Sequence, residues 1–150
     1  MALRVMHIAE VGLRVKDLPR MAAFYQEVLG LEIVRTYPKY VFLKAGELNS
    51  PLGRGGHPQL LVLFDREVPL DIALTTLDHL AFEIPLERYA AERERLREMG
   101  LELLERAGSG IHAWLQARSL FFDDPEGNTI ELIAHDPSAA EAIANGGTTR

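Results

Sequence analysis

The sequence predicts an α+β fold in which the order strand, helix, strand, strand, strand occurs twice. Two similar stretches, LGLEIVR from Leu29 and MGLELLE from Met99, lie 70 residues apart. Each follows an amphipathic, helix-like segment, which in turn follows a strand-like alternation of apolar and polar residues. The same order of elements around two similar stretches indicates an internal duplication, so we predict two βαβββ modules.

Two helices are expected, one in each module, and each is followed by a glycine in the left-handed conformation, Gly30 and Gly100. The first helix is expected over 18–29 with Asp17 as its N-cap. The second is expected to begin near Pro85 and to reach Met99. The residues expected on the buried helix faces are Leu18, Tyr25 and Val28, then Leu86, Tyr89 and Leu96.

Four strands are expected in each module, at 9–16, 31–36, 39–45 and 59–64, then at 77–84, 101–106, 114–122 and 128–134. We expect one domain over residues 1–150, organised as module one (about 8–64), a linker (65–76), module two (about 77–135) and a C-terminal tail (136–150).

The composition excludes several classes of function. A net charge of -6 argues against a nucleic-acid-binding surface, which needs an excess of Lys and Arg. No apolar run approaches the roughly 20 residues of a membrane span. The chain has no cysteine, so neither disulfides nor thiolate chemistry is expected. We expect a cytoplasmic protein with no nucleic-acid or membrane partner.

Three polar residues lie at strand positions from which their side chains could converge. Alternation along 128–134 separates Glu131 from the apolar face of its strand, and His79 is separated in the same way along 77–84. Glu10 has the matching position in the first module. A cation would offset the cost of burying such carboxylates, whereas each residue taken alone is more simply a surface or ion-paired side chain.

The sequence resembles the vicinal oxygen chelate superfamily, which includes glyoxalases, bleomycin-binding proteins and extradiol dioxygenases. The resemblance is carried by VGLRVKDLPRMAAFYQEVLGLEIV (11–34), LDHLAFEIP (77–85) and SLFFDDPEGNTIEL (119–132). It implies paired βαβββ modules that form a curled mixed sheet around a cup. It also implies a homodimer and a small-molecule substrate.

The resemblance implies a metal site formed by Glu10, His79 and Glu131. His79 and Glu131 match the family's ligands, and Glu10 stands where the family has a histidine. Oxygen-rich ligation favours one divalent cation, Fe²⁺ or Mn²⁺, with Zn²⁺ and Ni²⁺ as alternatives. His7, His57 and His135 are not expected to be ligands.

The remaining family positions favour the extradiol branch without matching it fully. The fourth ligand of glyoxalase-like members would fall on Leu61 or Val62, neither of which can bind a metal. His112 matches a histidine that acts as proton partner in extradiol dioxygenases. Phe121 replaces a family tyrosine. Tyr40 and Trp114 are candidate wall residues, although core packing is the simpler role for both.

We therefore predict a metal-dependent enzyme that acts on a small vicinal-oxygen substrate, closest to extradiol ring-cleaving dioxygenases. The first alternative is a metal-free small-molecule binding protein of the bleomycin-resistance kind. The second is a glyoxalase-like lyase or isomerase.

Overall fold

The computed structural model describes residues 8–46, 59–65, 77–107 and 116–138 of the chain. The chain divides into two compact units, Met1–Asp71 and Ile72–Arg150, with the division inside the predicted linker. Apart from Asp65, that linker lies outside the described residues. So does most of the C-terminal tail.

Both units have the predicted βαβββ order, which confirms the α+β class. The first unit contains β1 (Glu10–Val15), α1 (Leu18–Leu29), β2 (Glu32–Tyr37), β3 (Tyr40–Lys44) and β4 (Leu60–Asp65). The second contains β5 (Leu80–Glu83), α2 (Leu86–Glu98), β6 (Leu104–Ala107), β7 (Ala117–Asp123) and β8 (Thr129–His135). No helix in the described part of the chain is long and apolar enough to cross a membrane.

The two sheets have the same topology and the same register. Each has four strands, in the orders β1-β4-β3-β2 and β5-β8-β7-β6. In each sheet the first and last strands of the unit pair in parallel, and every residue pairs with one 50 positions later, as in Glu10–Leu60 and Leu80–Ile130. The other strand pairs are antiparallel. The predicted duplication is therefore visible at the level of single residue pairs.

Alternation of buried residues fixes which positions correspond in the two units. Leu13 and Val15 are the buried residues of β1, and in β5 Leu80 and Phe82 are half-buried while Ala81 and Glu83 are exposed. This alternation matches Leu13 with Phe82, 69 positions later. The same 69-residue offset relates the pair Gly12–Val62 to the pair Ala81–Glu131. Val62 is thus the structural counterpart of Glu131.

The first helix begins and ends as its sequence predicts. The Asp17 carboxylate accepts a hydrogen bond from the Arg20 backbone N–H at 3.0 Å, satisfying one of the free donors of the first turn. The helix ends at Gly30, whose φ of 68° is accessible to glycine at little cost. Leu18, Tyr25 and Val28 are buried, as predicted.

The second helix differs from its prediction at its first residue. Tyr89 and Leu96 are buried, but Leu86 is 40% exposed. Leu86 is the first residue of α2, and the side chain of a first-turn residue leans towards the N-terminus, away from the rest of the helix. The helix ends one residue before the predicted Met99, and Gly100 follows with a φ of 81°.

The strand boundaries of the second unit also need correction. Strand β5 begins at Leu80 rather than residue 77, and β6 begins at Leu104 rather than residue 101. Residues 101–103 leave the edge of β7 and border a cleft of about 510 Å³. His135, predicted to follow the last strand, is the exposed last residue of β8.

Candidate functional site

The turn before β8 is held by the side chain of Asp124. Its Oδ1 accepts hydrogen bonds from the backbone N–H groups of Glu126 at 3.0 Å and Asn128 at 2.9 Å. Its Oδ2 accepts one from the Asn128 side-chain amide at 2.8 Å. Gly127 supplies the left-handed residue, with a φ of 87°. Because Asp124 and Asn128 are both buried, the turn fixes where β8 begins.

The far end of β8 is fixed by Asp136. Its carboxylate accepts hydrogen bonds from the hydroxyl and backbone N–H of Ser138 and from the Arg118 guanidinium. The hydrogen bond from Ser138, followed by that from Arg118, holds the pKa of Asp136 below its usual value. With both ends held, β8 presents its side chains in one defined register.

Glu131 lies at the centre of β8, on the face of the second sheet that we call the open face. The opposite face carries Leu120 and its neighbour Glu105, whose carboxylate pairs with Arg97 of α2, so the helix covers that side. Glu131 is nevertheless only 4% exposed. A carboxylate so removed from water requires compensating contacts.

His79 provides one of those contacts. Its Nε2 lies 3.1 Å from Oε2 of Glu131, and its Nδ1 lies 2.6 Å from Oδ1 of Asp78. The Asp78 side chain is 95% exposed, so the histidine bridges from solvent to a buried carboxylate. Nε2 must carry a proton to donate to Glu131, because a carboxylate oxygen only accepts hydrogen bonds. With a cation between the two groups, Asp78 would instead hold the proton on Nδ1, and Nε2 would bind the cation through its lone pair.

The distance between Nε2 of His79 and Oε2 of Glu131 fits a hydrogen bond and also fits two ligands of one cation. Metal–nitrogen and metal–oxygen bonds of about 2.1 Å at a right angle place two ligand atoms about 3.0 Å apart. Nε2 of His79 and Oε2 of Glu131 therefore suit two adjacent positions around one divalent ion, with Asp78 as the outer carboxylate that orients the histidine.

Phe121 forms the wall beside this pair. It lies directly across from Glu131 in the β7–β8 ladder. Its ring meets the His79 ring edge-on, with centroids 5.8 Å apart and an interplanar angle of 81°. The ring has no hydroxyl, so this wall offers an apolar surface rather than a hydrogen bond.

The predicted site residues divide between the two units. His79 and Glu131 are in contact in the second unit. Glu10 is exposed and opens β1 of the first unit. His112 and Trp114 lie outside the described residues, as do His7 and His57. Within the ranges that the structure describes, no three His, Cys, Asp or Glu side chains group into a metal site.

Asp78 is the contact that the sequence pattern missed. Strict alternation over 77–84 assigns Asp78 to the apolar face, away from His79. The regular strand begins only at Leu80, so the two preceding residues need not alternate, and the Asp78 carboxylate reaches the histidine ring. The adjacency of Asp78 and His79 in the sequence was the signal from which this contact could have been predicted.

The register also resolves the position of the missing fourth ligand. Val62, rather than Leu61, corresponds to Glu131, and it is fully buried. Gln59 lies one residue before β4, where its side-chain amide donates a hydrogen bond to the Ile8 carbonyl at 3.0 Å. The described part of β4 therefore offers no carboxylate or amide at the position of Glu131.

Comparison with known proteins gives relatives by sequence and by fold. The family model described as the Glyoxalase/Bleomycin resistance protein/Dioxygenase superfamily matches residues 4–132. A catechol-2,3-dioxygenase of Bacillus subtilis (strain 168) is 30% identical over 132 residues, covering 87% of this chain and 42% of the relative. A biphenyl-2,3-diol 1,2-dioxygenase 3 of Rhodococcus globerulus is 29% identical over 136 residues, covering 83% and 61%.

The chain therefore spans about half the length of the curated relatives it matches. Among solved structures, a mutant of the fosfomycin resistance protein FosX from Listeria monocytogenes, complexed with Mn(II) and 1S,2S-dihydroxypropylphosphonic acid, superposes with a TM-score of 0.66. It is 22% identical, and the match covers 94% of this chain and 99% of FosX. At this identity the likeness concerns the fold alone.

Proposed function

Because the chain belongs to the glyoxalase/bleomycin resistance protein/dioxygenase superfamily, we propose that it is a metal-dependent enzyme acting on a small substrate with two adjacent oxygens. The observation that carries this proposal is the contact between His79 and Glu131, with Asp78 on the outer nitrogen of the histidine. A purely structural ion pair does not need that third group.

We place the reaction closest to extradiol ring cleavage. The two relatives by sequence are named for catechol and biphenyl-2,3-diol, which are both aromatic vicinal diols. The apolar ring of Phe121 beside His79 is a suitable surface for a flat aromatic substrate. Aromatic rings bury a large apolar area on such a wall, which orients the two hydroxyls towards the ligand pair.

In this proposal Glu10, His79 and Glu131 are the ligands of one divalent cation, Fe²⁺ or Mn²⁺ in preference to Zn²⁺ or Ni²⁺. The cation would supply Lewis acidity to the two substrate oxygens. Glu10 enters through its correspondence with His79 and through the family resemblance. His112 is proposed as the residue that accepts or donates a proton at a substrate oxygen.

Oxygen consumption tests the reaction. Protein loaded with Fe²⁺ under anaerobic conditions is mixed with catechol or biphenyl-2,3-diol in aerated buffer. We expect oxygen uptake and a product heavier than the substrate by both atoms of O₂. Glu131→Gln should abolish uptake. Glu83 is an exposed carboxylate of β5 on the same face of the sheet as Glu131, and Glu83→Gln should leave uptake unchanged.

The competing function is metal-free binding of a small molecule. It is favoured by Glu10, which stands where the family has a histidine. Binding of the diols that is unaffected by metal and accompanied by no oxygen uptake would overturn the enzymatic proposal in favour of this one. Oxygen-independent, metal-dependent conversion of a hemithioacetal would favour the glyoxalase-like alternative.

A further inference from the structure

We propose that Ser119 and Arg106 form a carboxylate-binding subsite on the open face of the second unit. The preferred substrate of the proposed site is then a vicinal diol that carries an acidic substituent. This inference rests on the proposed function and adds the chemical class of the substrate to it.

Ser119 has a buried hydroxyl with no hydrogen-bond partner. The residue is fully buried, and its Oγ is the buried side-chain polar atom for which no partner is found in the described structure. Its backbone carbonyl is already used, since it accepts a hydrogen bond from the Tyr89 hydroxyl at 3.2 Å. Buried hydroxyls are nearly always paired, so one that is not is suited to a ligand.

The hydroxyl belongs to the open face because side chains alternate along β7. Phe121, which contacts His79, is two residues further along the same strand. Residues two apart on a strand share a face, so the Ser119 side chain is on the side of Glu131 and His79. It therefore lies on the same face of the sheet as the proposed ligand pair, buried beneath that face.

Arg106 lies directly across from Ser119 in the β6–β7 ladder and is exposed. Its guanidinium forms no hydrogen bond or ion pair with another described residue. Several other arginines of the second unit are paired with carboxylates, namely Arg88, Arg93, Arg95, Arg97 and Arg118. A guanidinium beside a hydroxyl donor is well suited to a carboxylate.

The spacing on the sheet suits one aromatic substrate. Leu104, Phe121 and Glu131 form one row across β6, β7 and β8, and the next row contains Arg106, Ser119 and Ile133. Diagonal neighbours on adjacent strands are about 7–8 Å apart. A ring that lies over Phe121, with its hydroxyls at Glu131, can therefore direct a substituent towards Ser119.

The charges on this face favour an anion at the β6 edge. Glu83 lies in the same row as Ser119 and Arg106 but on β5, at the opposite edge of the sheet. Strands β8 and β7 separate its negative charge from Arg106. Asp123 is at the other end of β7, where its carboxylate accepts a hydrogen bond from Thr129. The cleft beside residues 100–104, near Asp123, is the alternative place for an uncharged substituent.

Binding measurements with matched probes test the subsite. Protein loaded with Mn²⁺ is titrated without oxygen with catechol, with 3,4-dihydroxybenzoate and with its methyl ester. We expect the acid to bind about tenfold more tightly than the ester, the size expected of hydrogen bonds to a charged group. In Ser119→Ala and in Arg106→Gln this preference should fall to about twofold or less.

Two controls separate binding from folding and from net charge. Arg88→Gln makes the same change of charge on α2 and should retain the preference for the acid. Ser119→Ala should melt no lower than the wild type, because it removes a buried hydroxyl that has no partner. A clear loss of thermal stability in Ser119→Ala would assign the hydroxyl to the fold and overturn its role in binding.

The outcomes separate the subsite from the proposed function. If the acid and its ester bind the wild type equally, and both require the metal, the subsite is wrong and the proposed function stands. Tighter binding of the ester has the same consequence and favours the cleft. If no diol binds in a metal-dependent manner, the proposed function fails, and the subsite fails with it.

Discussion

The two units share a topology and a pairing register but differ in what one strand pair carries. In the first unit Gly12 lies across from Val62, and in the second the corresponding pair is Ala81 and Glu131. Val62 is buried among apolar residues, whereas Glu131 is buried against His79. The same backbone thus supports an apolar surface in one unit and a polar pair in the other.

Aromatic side chains occupy the corresponding face of the first unit. Tyr40 has its ring centroid 4.8 Å from that of Tyr37, 5.9 Å from Phe42 and 5.8 Å from Phe64. Tyr40 is thus half-buried in an aromatic cluster, and its predicted role as a wall residue stays a prediction. In the second unit the ring of Phe121 lies on that face against the His79 imidazole. The two units therefore keep the same backbone pairing while their corresponding faces carry different side-chain chemistry.

The largest effect is expected when the polar residue of the second unit is copied into the first. Val62→Glu buries a carboxylate where the counterpart of His79 is Glu10, which cannot neutralise it. We expect a loss of about 3 kcal/mol or more in the free energy of unfolding, measured by urea denaturation. Val62→Thr is the milder control. A stability equal to that of the wild type would show that the first unit tolerates the charge, and would weaken the comparison.

Much of the fold followed from the sequence because local signals and burial agreed. Asp17 and Gly30 bound α1 as expected, and alternation on β8 separated Glu131 from Ile130 and Leu132. The contact between Asp78 and His79 did not follow, because it depends on where regular strand pairing begins. Leu86 was mispredicted because helical periodicity assigns it to the apolar face but does not account for its place as the first residue of the helix.

The next effect concerns Asp78, whose counterpart in the first unit is Ala9 by the same 69-residue offset. Asp78→Ala should weaken Mn²⁺ binding about tenfold, because carboxylates that orient a metal-binding histidine typically contribute 10–100-fold. Titration calorimetry measures the change, and Asp78→Asn should recover part of it. If Asp78→Ala binds Mn²⁺ as tightly as the wild type, the hydrogen bond to Nδ1 is a surface contact without a role in metal binding.

A smaller effect is expected at Gly12, where the second unit has Ala81. A Cβ at residue 12 would lie 3.0 Å from the ring of Phe64, so the ring must move within its aromatic cluster. We expect Gly12→Ala to lower the free energy of unfolding by about 1 kcal/mol, the low end for overpacking. Combining it with Phe64→Leu should remove most of that cost. Additive losses in the double variant would contradict the steric explanation.

The smallest effect is a pH dependence that belongs to the second unit. The pKa of Asp136 is lowered by Ser138 and Arg118, so its ionised form stabilises the fold above the usual aspartate pKa of 3.8. That contribution is lost as the pH falls through the lower, folded-state pKa. Asp136→Asn should therefore cost on the order of 1 kcal/mol at neutral pH and progressively less below about pH 4. A pH-independent difference between the two proteins would contradict this assignment.

The central claim is that Glu131 binds a metal, and a titration of Mn²⁺ into metal-free protein tests it most directly. The matched variant is Glu131→Val, which gives the second unit the residue of the first. We predict near-stoichiometric binding by the wild type and at least about 100-fold weaker binding by the variant, with thermal unfolding still cooperative. Equal affinity of the two proteins for Mn²⁺ would show that Glu131 is not a ligand.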